Sequence, residues 1–356
     1  MSNPTTDSKM YQTMHRQPDD LRRVLGDAGW GQAGAAAGLI AAADRVFVIG
    51  IGTSYHAALA GAWLLRAAGL DARAVSSFDF ALYPESYPLR ADDAVVIMAH
   101  TGVKQYSAAS LARASEAGAT IISVGSLTAE HPGSQRVLRT VEREQSAAYT
   151  SSHLTAMTVL AQVATALGER SGNAQVSQWR DALTALPDQV ATVLARESEI
   201  EPVARLAVRG QVYAAAAGPN EATALELVIK AREAAYGRVD ALAVEQFLHG
   251  PMVAVNAGDL AVLVNVAGAG ASRVAEVAAV LAAMGARLWL VGDAAPGAPE
   301  ATVFSLPSLP EDLSPLLAVV PMQILAYQMA VRNGTHPDTF RRDDPRYKDA
   351  FGLLKL

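Results

Sequence analysis

The amino-acid sequence predicts an α/β protein of two tandem doubly wound parallel sheets, each a flavodoxin-like three-layer α/β/α domain. Three observations predict it. Short apolar runs rich in Val, Ile and Leu alternate with longer runs of helix formers, as in strands joined by crossover helices. The first run, ending Val48-Ile49, enters Gly50-Ile51-Gly52 and then a helical stretch, the mark of a strand–turn–helix unit. The same strand–helix order recurs after about residue 210. A chain of 356 residues is natural for two domains of ordinary size. The repetition is one of architecture, without strong residue identity between halves.

In order, residues 1–9 are polar and expected to be loose. Pro18, with Asp19 and Asp20 after it, predicts a helix start. Strands are expected at 45–49, 71–76, 93–99, 119–124 and 137–142, with helices at 55–67, 106–117 and 152–167 and a turn and helix opening at Phe78. A linking helix covers 180–196. In the second half strands are expected at 212–216, 260–266, 287–291 and 302–305, with helices at 222–236, 272–284 and 313–332. The expected organisation is a leader and helix over 1–28, a first domain over 29–190, a second over 191–335 and a tail over 336–356. Ligands of such sheets sit beyond the carboxyl ends of the strands.

Composition narrows the function classes. Hydrophobic residues make up 51% and charged residues 18%, enough for substantial cores. The net charge of −6, with no basic block, argues against nucleic acid as a partner. Zero cysteines exclude disulfides, thiolate metal sites and cysteine nucleophiles. No metal and no cofactor are expected. No apolar run reaches membrane length without interruption, and the N-terminus has no signal-peptide core, so no membrane partner and a cytoplasmic location are expected.

The chemistry is expected between Gly218 and Pro251. From Ala222 to Tyr236 there is neither Gly nor Pro. Glu226, Lys230 and Glu233 fall at i, i+4 and i+7 and share one helix face. Leu225, Val228 and Ile229 lie opposite and are expected to bury. His249 follows, with the breaker pair Gly250-Pro251 behind it. A base, an ammonium and an imidazole in one cleft would suffice to move a proton between adjacent carbons of a sugar. The plain alternative is an exposed Glu226–Lys230 pair, worth roughly 0.3–0.5 kcal/mol, with His249 capping a helix.

This stretch resembles the second sugar-isomerase (SIS) domain of the double-SIS phosphosugar isomerase and deaminase family, in particular the isomerase half of glucosamine-6-phosphate synthase. That family has a run A-L-E-x-x-x-K-x-x-E followed by H-G-P, here Ala224, Leu225, Glu226, Lys230, Glu233 and His249-Gly250-Pro251. Gly52-Thr53-Ser54-Tyr55-His56-Ala57 matches the family's G-T-S-Y-H-A, where Gly52, Thr53 and Ser54 would hold phosphate. Its S-x-S-G-x-T turn corresponds to Ala99-His100-Thr101-Gly102-Val103-Lys104, in which Thr101 and Gly102 survive and Lys104 replaces a hydroxyl as a point charge. Its V-A-S-T-K loop corresponds to Ala148 through Ser152. Thr150 and Ser151 keep hydroxyls there, which by this resemblance would bind the sugar phosphate, and they also stand where they would cap the next helix. The family's Schiff-base lysine, counted from Pro337, falls on Arg342, which cannot form an imine. Lys348 is then the candidate, with Lys355 near the end.

The resemblance covers residues 10–340. It implies an isomerase or deaminase of phosphorylated sugars of the amino-sugar 6-phosphate type, with Glu233 as base, His249 opening the ring, and no glutaminase half. Without an imine, isomerisation would run through an enediol. It also implies a homodimer in which His249 reaches the neighbouring subunit's site. A non-catalytic sugar-phosphate-binding regulator, and a deglycase acting on a glycated amino-acid 6-phosphate, are the alternatives.

Overall fold

The protein, as a computed structural model, is described for residues 7–354. The expectations for residues 1–6 and for Lys355 lie outside the described residues. In chain order the elements are α1 (Lys9–Val24), α2 (Asp27–Ile40), β1 (Val46–Gly50), α3 (Thr53–Ala67), β2 (Ala72–Ser76), α4 (Ser77–Leu82), β3 (Ala94–Met98), α5 (Gln105–Glu116), β4 (Thr120–Gly125) and β5 (Arg136–Arg139). There follow α6 (Ser151–Ser171), α7 (Ala174–Ser177), α8 (Trp179–Leu194), α9 (Glu201–Ala207), β6 (Val212–Ala216), α10 (Glu221–Ala235), β7 (Val239–Ala243) and α11 (Val244–Leu248). The chain ends with β8 (Leu260–Asn265), α12 (Ala271–Ala283), β9 (Arg287–Gly292), β10 (Thr302–Phe304), α13 (Pro315–Asn333) and α14 (Pro345–Phe351).

These elements form two compact units. The first comprises Arg16–Glu144 and Ser151–Pro187. Its sheet has the order β2-β1-β3-β4-β5, all parallel. The strands β1 and β3 are buried at every residue, as parallel strands covered on both faces must be. One face packs Phe47, Ile49, Val95 and Ile97 on Phe80 and Ala114. The second unit comprises Gln145–Thr150 and Asp188–Leu354, with residues 7–15. Its sheet runs β10-β9-β8-β6-β7, also all parallel. Counted from its own first strand, this is the same order as in the first unit, so the predicted duplication of doubly wound sheets is what the protein has. The stretch Glu311–Asn333 is apolar and long enough to cross a membrane, but 89% of its most apolar window is buried as a core helix.

Two local expectations are corrected. Pro18 does not start a helix; it lies inside α1. A mid-helix proline costs about 3 kcal/mol, but Met10, Met14, Gln17, Leu21 and Val24 form one stripe that is at most 2% exposed, and its burial outweighs the lost hydrogen bond. The same helix begins at Lys9, the last residue of the stretch expected to be loose. The tail contains a helix, α14, with Asp344 accepting the Arg346 N–H as its N-cap and Pro345 opening it.

Candidate functional site

In the second unit, α10 shows why its charged residues matter. Its burial is the reverse of the expectation. Glu226 and Lys230 are fully buried, while Leu225, Val228 and Ile229 are only half-buried. The Lys230 ammonium lies 2.7 Å from a Glu233 oxygen and 3.4 Å from a Glu226 oxygen. The side chains of Glu226 and Lys230 are 0% and 1% exposed, and that of Glu233 is 21% exposed. The exposed surface pair is therefore ruled out. Each ion taken out of water costs several kcal/mol, so a group of two carboxylates and one ammonium is a poor choice for stability alone. It is a good way to hold one carboxylate, Glu233, rigidly at the edge of the interior.

The α10 helix ends at Tyr236 in a left-handed conformation (φ +55°), a C-cap position that favours glycine. Below it opens a cavity of about 500 Å³ bounded by Glu233, Tyr236, Arg238, Phe340, Arg341 and Tyr347, among others. Lys348 is exposed on α14, one residue past Tyr347, and is not part of this lining. Arg342 is exposed in the turn before it. The imidazole of His249 is 73% exposed at the end of α11 and lies 3.3 Å from Glu245. Arg273 and then His249 pull Glu245 down to about 2. Within its own chain His249 thus meets Glu245 and makes no ion pair with the Glu226–Lys230–Glu233 group. Thr150 is fully buried; its hydroxyl donates to Thr13 at 3.0 Å, and its carbonyl accepts from Gln323.

The first unit carries the other candidates at its topological switch point, where β1 and β3 are neighbours with crossovers to opposite faces. Gly52, at φ +59°, precedes α3, which starts at Thr53 and Ser54. Gly50 is needed for packing, since a Cβ there would sit 2.4 Å from the Ser54 carbonyl carbon. Beyond β3 the chain turns through His100, Thr101 and Gly102 to Lys104. Gly102 has φ +91°, and a Cβ there would come within 3.1 Å of the Glu130 carbonyl, so both conformation and space require glycine. Lys104 is exposed at the start of α5, its N–H donating to the Ser107 hydroxyl. His100 accepts a long bond (3.4 Å) from the Glu144 N–H, and burial pushes its imidazole pKa down while Glu144 opposes. Gly52–Ser54 and His100–Lys104 thus follow the carboxyl ends of the neighbouring strands β1 and β3 and carry backbone N–H groups, hydroxyls and an ammonium, a set suited to an oxyanion.

Ser151 does not cap α6. Its hydroxyl donates to Asp20 at 2.6 Å, and the helix start is served instead by Glu144, which accepts from the Ser152 N–H at 2.5 Å. A full negative charge complements the helix dipole better than a hydroxyl does. In the second unit the corresponding crevice, beyond β6 and β8, is filled. Glu311 accepts from the Ala269 N–H at 2.9 Å, and a Cβ on Gly268 would lie 2.1 Å from its carboxyl carbon. The two halves share a fold, but in the second the Glu311 carboxylate occupies the switch point.

Sequence reasoning missed His131, in the loop that passes beneath Gly102. It is 7% exposed, presses on Gly125, and neither ring nitrogen has a hydrogen-bond partner among the described residues. Burial, with Arg139 adding to it, pushes the imidazole down to about 4. Because the folded pKa lies below the unfolded value near 6.5, the unfolded chain binds the extra proton first. Stability is full above pH 6.5 and is lost as pH falls from about 6.5 to 4, by about 3 kcal/mol from this group. Urea midpoints at pH 7.5 and pH 5 should therefore converge in His131→Leu relative to the parent. An unchanged pH slope in that variant would count against the assignment. Nothing in the local sequence, Glu130-His131-Pro132, signals burial; the loop's path under Gly102 decides it.

Comparison with known proteins agrees with this fold. Residues 39–166 match the family described as SIS domain. The chain is 28% identical over 338 residues to glutamine–fructose-6-phosphate aminotransferase (isomerizing) of Pyrococcus horikoshii, covering 92% of this chain and 56% of that protein. It is 29% identical over 352 residues to the protein of that name from Symbiobacterium thermophilum, covering 92% and 57%. The chain thus spans a little over half the length of these relatives. Its fold matches the C-terminal domain of glucosamine-fructose-6-phosphate aminotransferase from Francisella tularensis with a TM-score of 0.84 at 18% identity, over 95% of this chain and all of that one. The chain thus has two parallel sheets of one strand order, with an SIS-domain match in the first, and over most of its length it resembles the C-terminal half of glutamine–fructose-6-phosphate aminotransferase.

Proposed function

We propose that the protein isomerises or deaminates a phosphorylated sugar of the amino-sugar 6-phosphate type. The observation that carries this reading is the buried Glu226–Lys230–Glu233 group, with Lys230 2.7 Å from Glu233. A carboxylate fixed in this way suits a general base that takes a proton from one sugar carbon and returns it to the next through an enediol. In deamination the same proton transfer would precede addition of water and loss of ammonia. The phosphate is assigned to Gly52, Thr53, Ser54, Thr101 and Gly102, with Lys104 as a point charge and His100 beneath. Thr150 and Ser151, whose hydroxyls already serve Thr13 and Asp20, are assigned to positioning. His249, exposed in its own chain, is assigned to ring opening in the neighbouring subunit of a homodimer, and Lys348 to the tail that closes on the site.

The test is turnover across a panel of 6-phosphosugars, each run beside its unphosphorylated parent and a boiled control, reading ketose formation and ammonia separately. Turnover of at least one phosphorylated member, and not of its parent, is the expected result. Binding of 6-phosphosugars without turnover of any would replace this reading with that of a regulator.

A further inference from the structure

The cavity beside Glu233 has features that a sugar isomerase does not require. Three of the four non-glycine residues with positive φ among the described residues line it: Tyr236 (+55°), Phe340 (+53°) and Arg341 (+59°). For L-residues with bulky side chains this conformation costs on the order of 1–2 kcal/mol each. Such strain persists where surroundings over-determine it, and it gathers at binding sites. Here it brings four aromatic residues and a guanidinium together. The Arg341 guanidinium lies between two rings, 3.9 Å from Tyr347 and 4.6 Å from Tyr236. Phe340 and Phe351 close the wall with centroids 5.6 Å apart.

The charges on this wall do not balance. Of its carboxylates, Asp240 pairs with Arg232 and accepts from Gln211, and Glu233 is held by Lys230. The acids nearest Arg341 in sequence are also engaged, Asp343 accepting from Thr339 and Asp344 pairing with Arg346. Arg238 and Arg341 make no ion pair among the described residues, in a chain whose net charge is −6. Two guanidiniums without carboxylates, beside flat rings in about 500 Å³, match a small ligand with one flat face and one anionic edge.

We propose that this cavity binds a flat organic carboxylate, its acid group held by Arg238 and Arg341 and its face stacked on Tyr236 and Tyr347. The acid arrives either free or as a substituent carried on the sugar. Binding of the acid itself does not rest on the isomerase reading, because it is tested with benzoate alone; only the source carried on the sugar rests on it.

Benzoate is titrated into the full-length protein by calorimetry, beside acetate, which has the charge without the ring, and benzyl alcohol, which has the ring without the charge. Benzoate should bind at least tenfold more tightly than either. Arg238→Gln and Arg341→Gln should each weaken it roughly tenfold or more, the usual loss of a hydrogen bond to a charged group. Arg238 is exposed and unpartnered, so its variant should melt as the parent does, which guards against misfolding as the cause. If acetate binds as well as benzoate, or if both glutamine variants keep the parent's affinity, the proposal fails. N-(4-carboxybenzoyl)glucosamine 6-phosphate separates the two sources. Tighter binding than benzoate supports an acid carried on the sugar, and equal binding supports a free acid.

Discussion

Glu233→Gln is expected to lower turnover of the best 6-phosphosugar roughly 10²–10⁴-fold, the usual worth of a positioned general base. The amide keeps the side chain's size and can still accept from Lys230, so the 2.7 Å contact need not be lost and the melting temperature should change little. The substitution removes the ability to take a proton while leaving the fold in place. Near-normal turnover of the variant would sink the assignment. A second arm uses the proposed shared site. Glu233→Gln and His249→Ala proteins, each inactive, are mixed under conditions of proven subunit exchange. If His249 serves the neighbour, a mixed dimer has one site with both defects and one with neither, and about half of the activity per mixed dimer returns. No recovery would refute the shared site.

Lys230→Met should be the most destabilising single change on α10. The ammonium stands between a fully buried carboxylate and a mostly buried one. Methionine fills the space but leaves Glu226 without its counter-charge. Removing one partner of a buried ion pair costs about 3–5 kcal/mol, far more than the roughly 0.3–0.5 kcal/mol of a surface pair at the same spacing. Urea unfolding gives the difference directly. The double variant Glu226→Leu/Lys230→Met removes the stranded charge and should recover more than half of the loss, since apolar replacements of a buried pair are often neutral. A loss below about 1 kcal/mol in the single variant would mean that the group is not desolvated in solution.

Much of this protein was readable in one dimension. Alternating strand and helix periods, with Gly50-Ile51-Gly52 and Gly102 punctuating them, determine a doubly wound fold because parallel strands need crossovers and crossovers need tight turns. The i, i+4, i+7 spacing placed Glu226, Lys230 and Glu233 on one face because helix geometry is local.

Which way that face points is not local. Periodicity favoured Leu225, Val228 and Ile229 as the buried side, yet α10 packs its charged stripe inward. Side-chain hydropathy yields there to the three-way pairing that only the folded helix can assemble. In the same way, Thr150 and Ser151 have the right chemistry for helix caps, but the fold delivers Glu144 to the helix start and leaves the hydroxyls to Thr13 and Asp20. The tail carried no period, and its aromatic and arginine residues became a cavity wall only through three left-handed residues that no sequence rule would assign to Tyr, Phe and Arg. Sequence alone determined the sheets, the turns and the spacing of the charges, because these depend on residues a few positions apart. Only the tertiary structure decided which groups lose their water and which remain open to a ligand, because desolvation depends on neighbours brought from far along the chain.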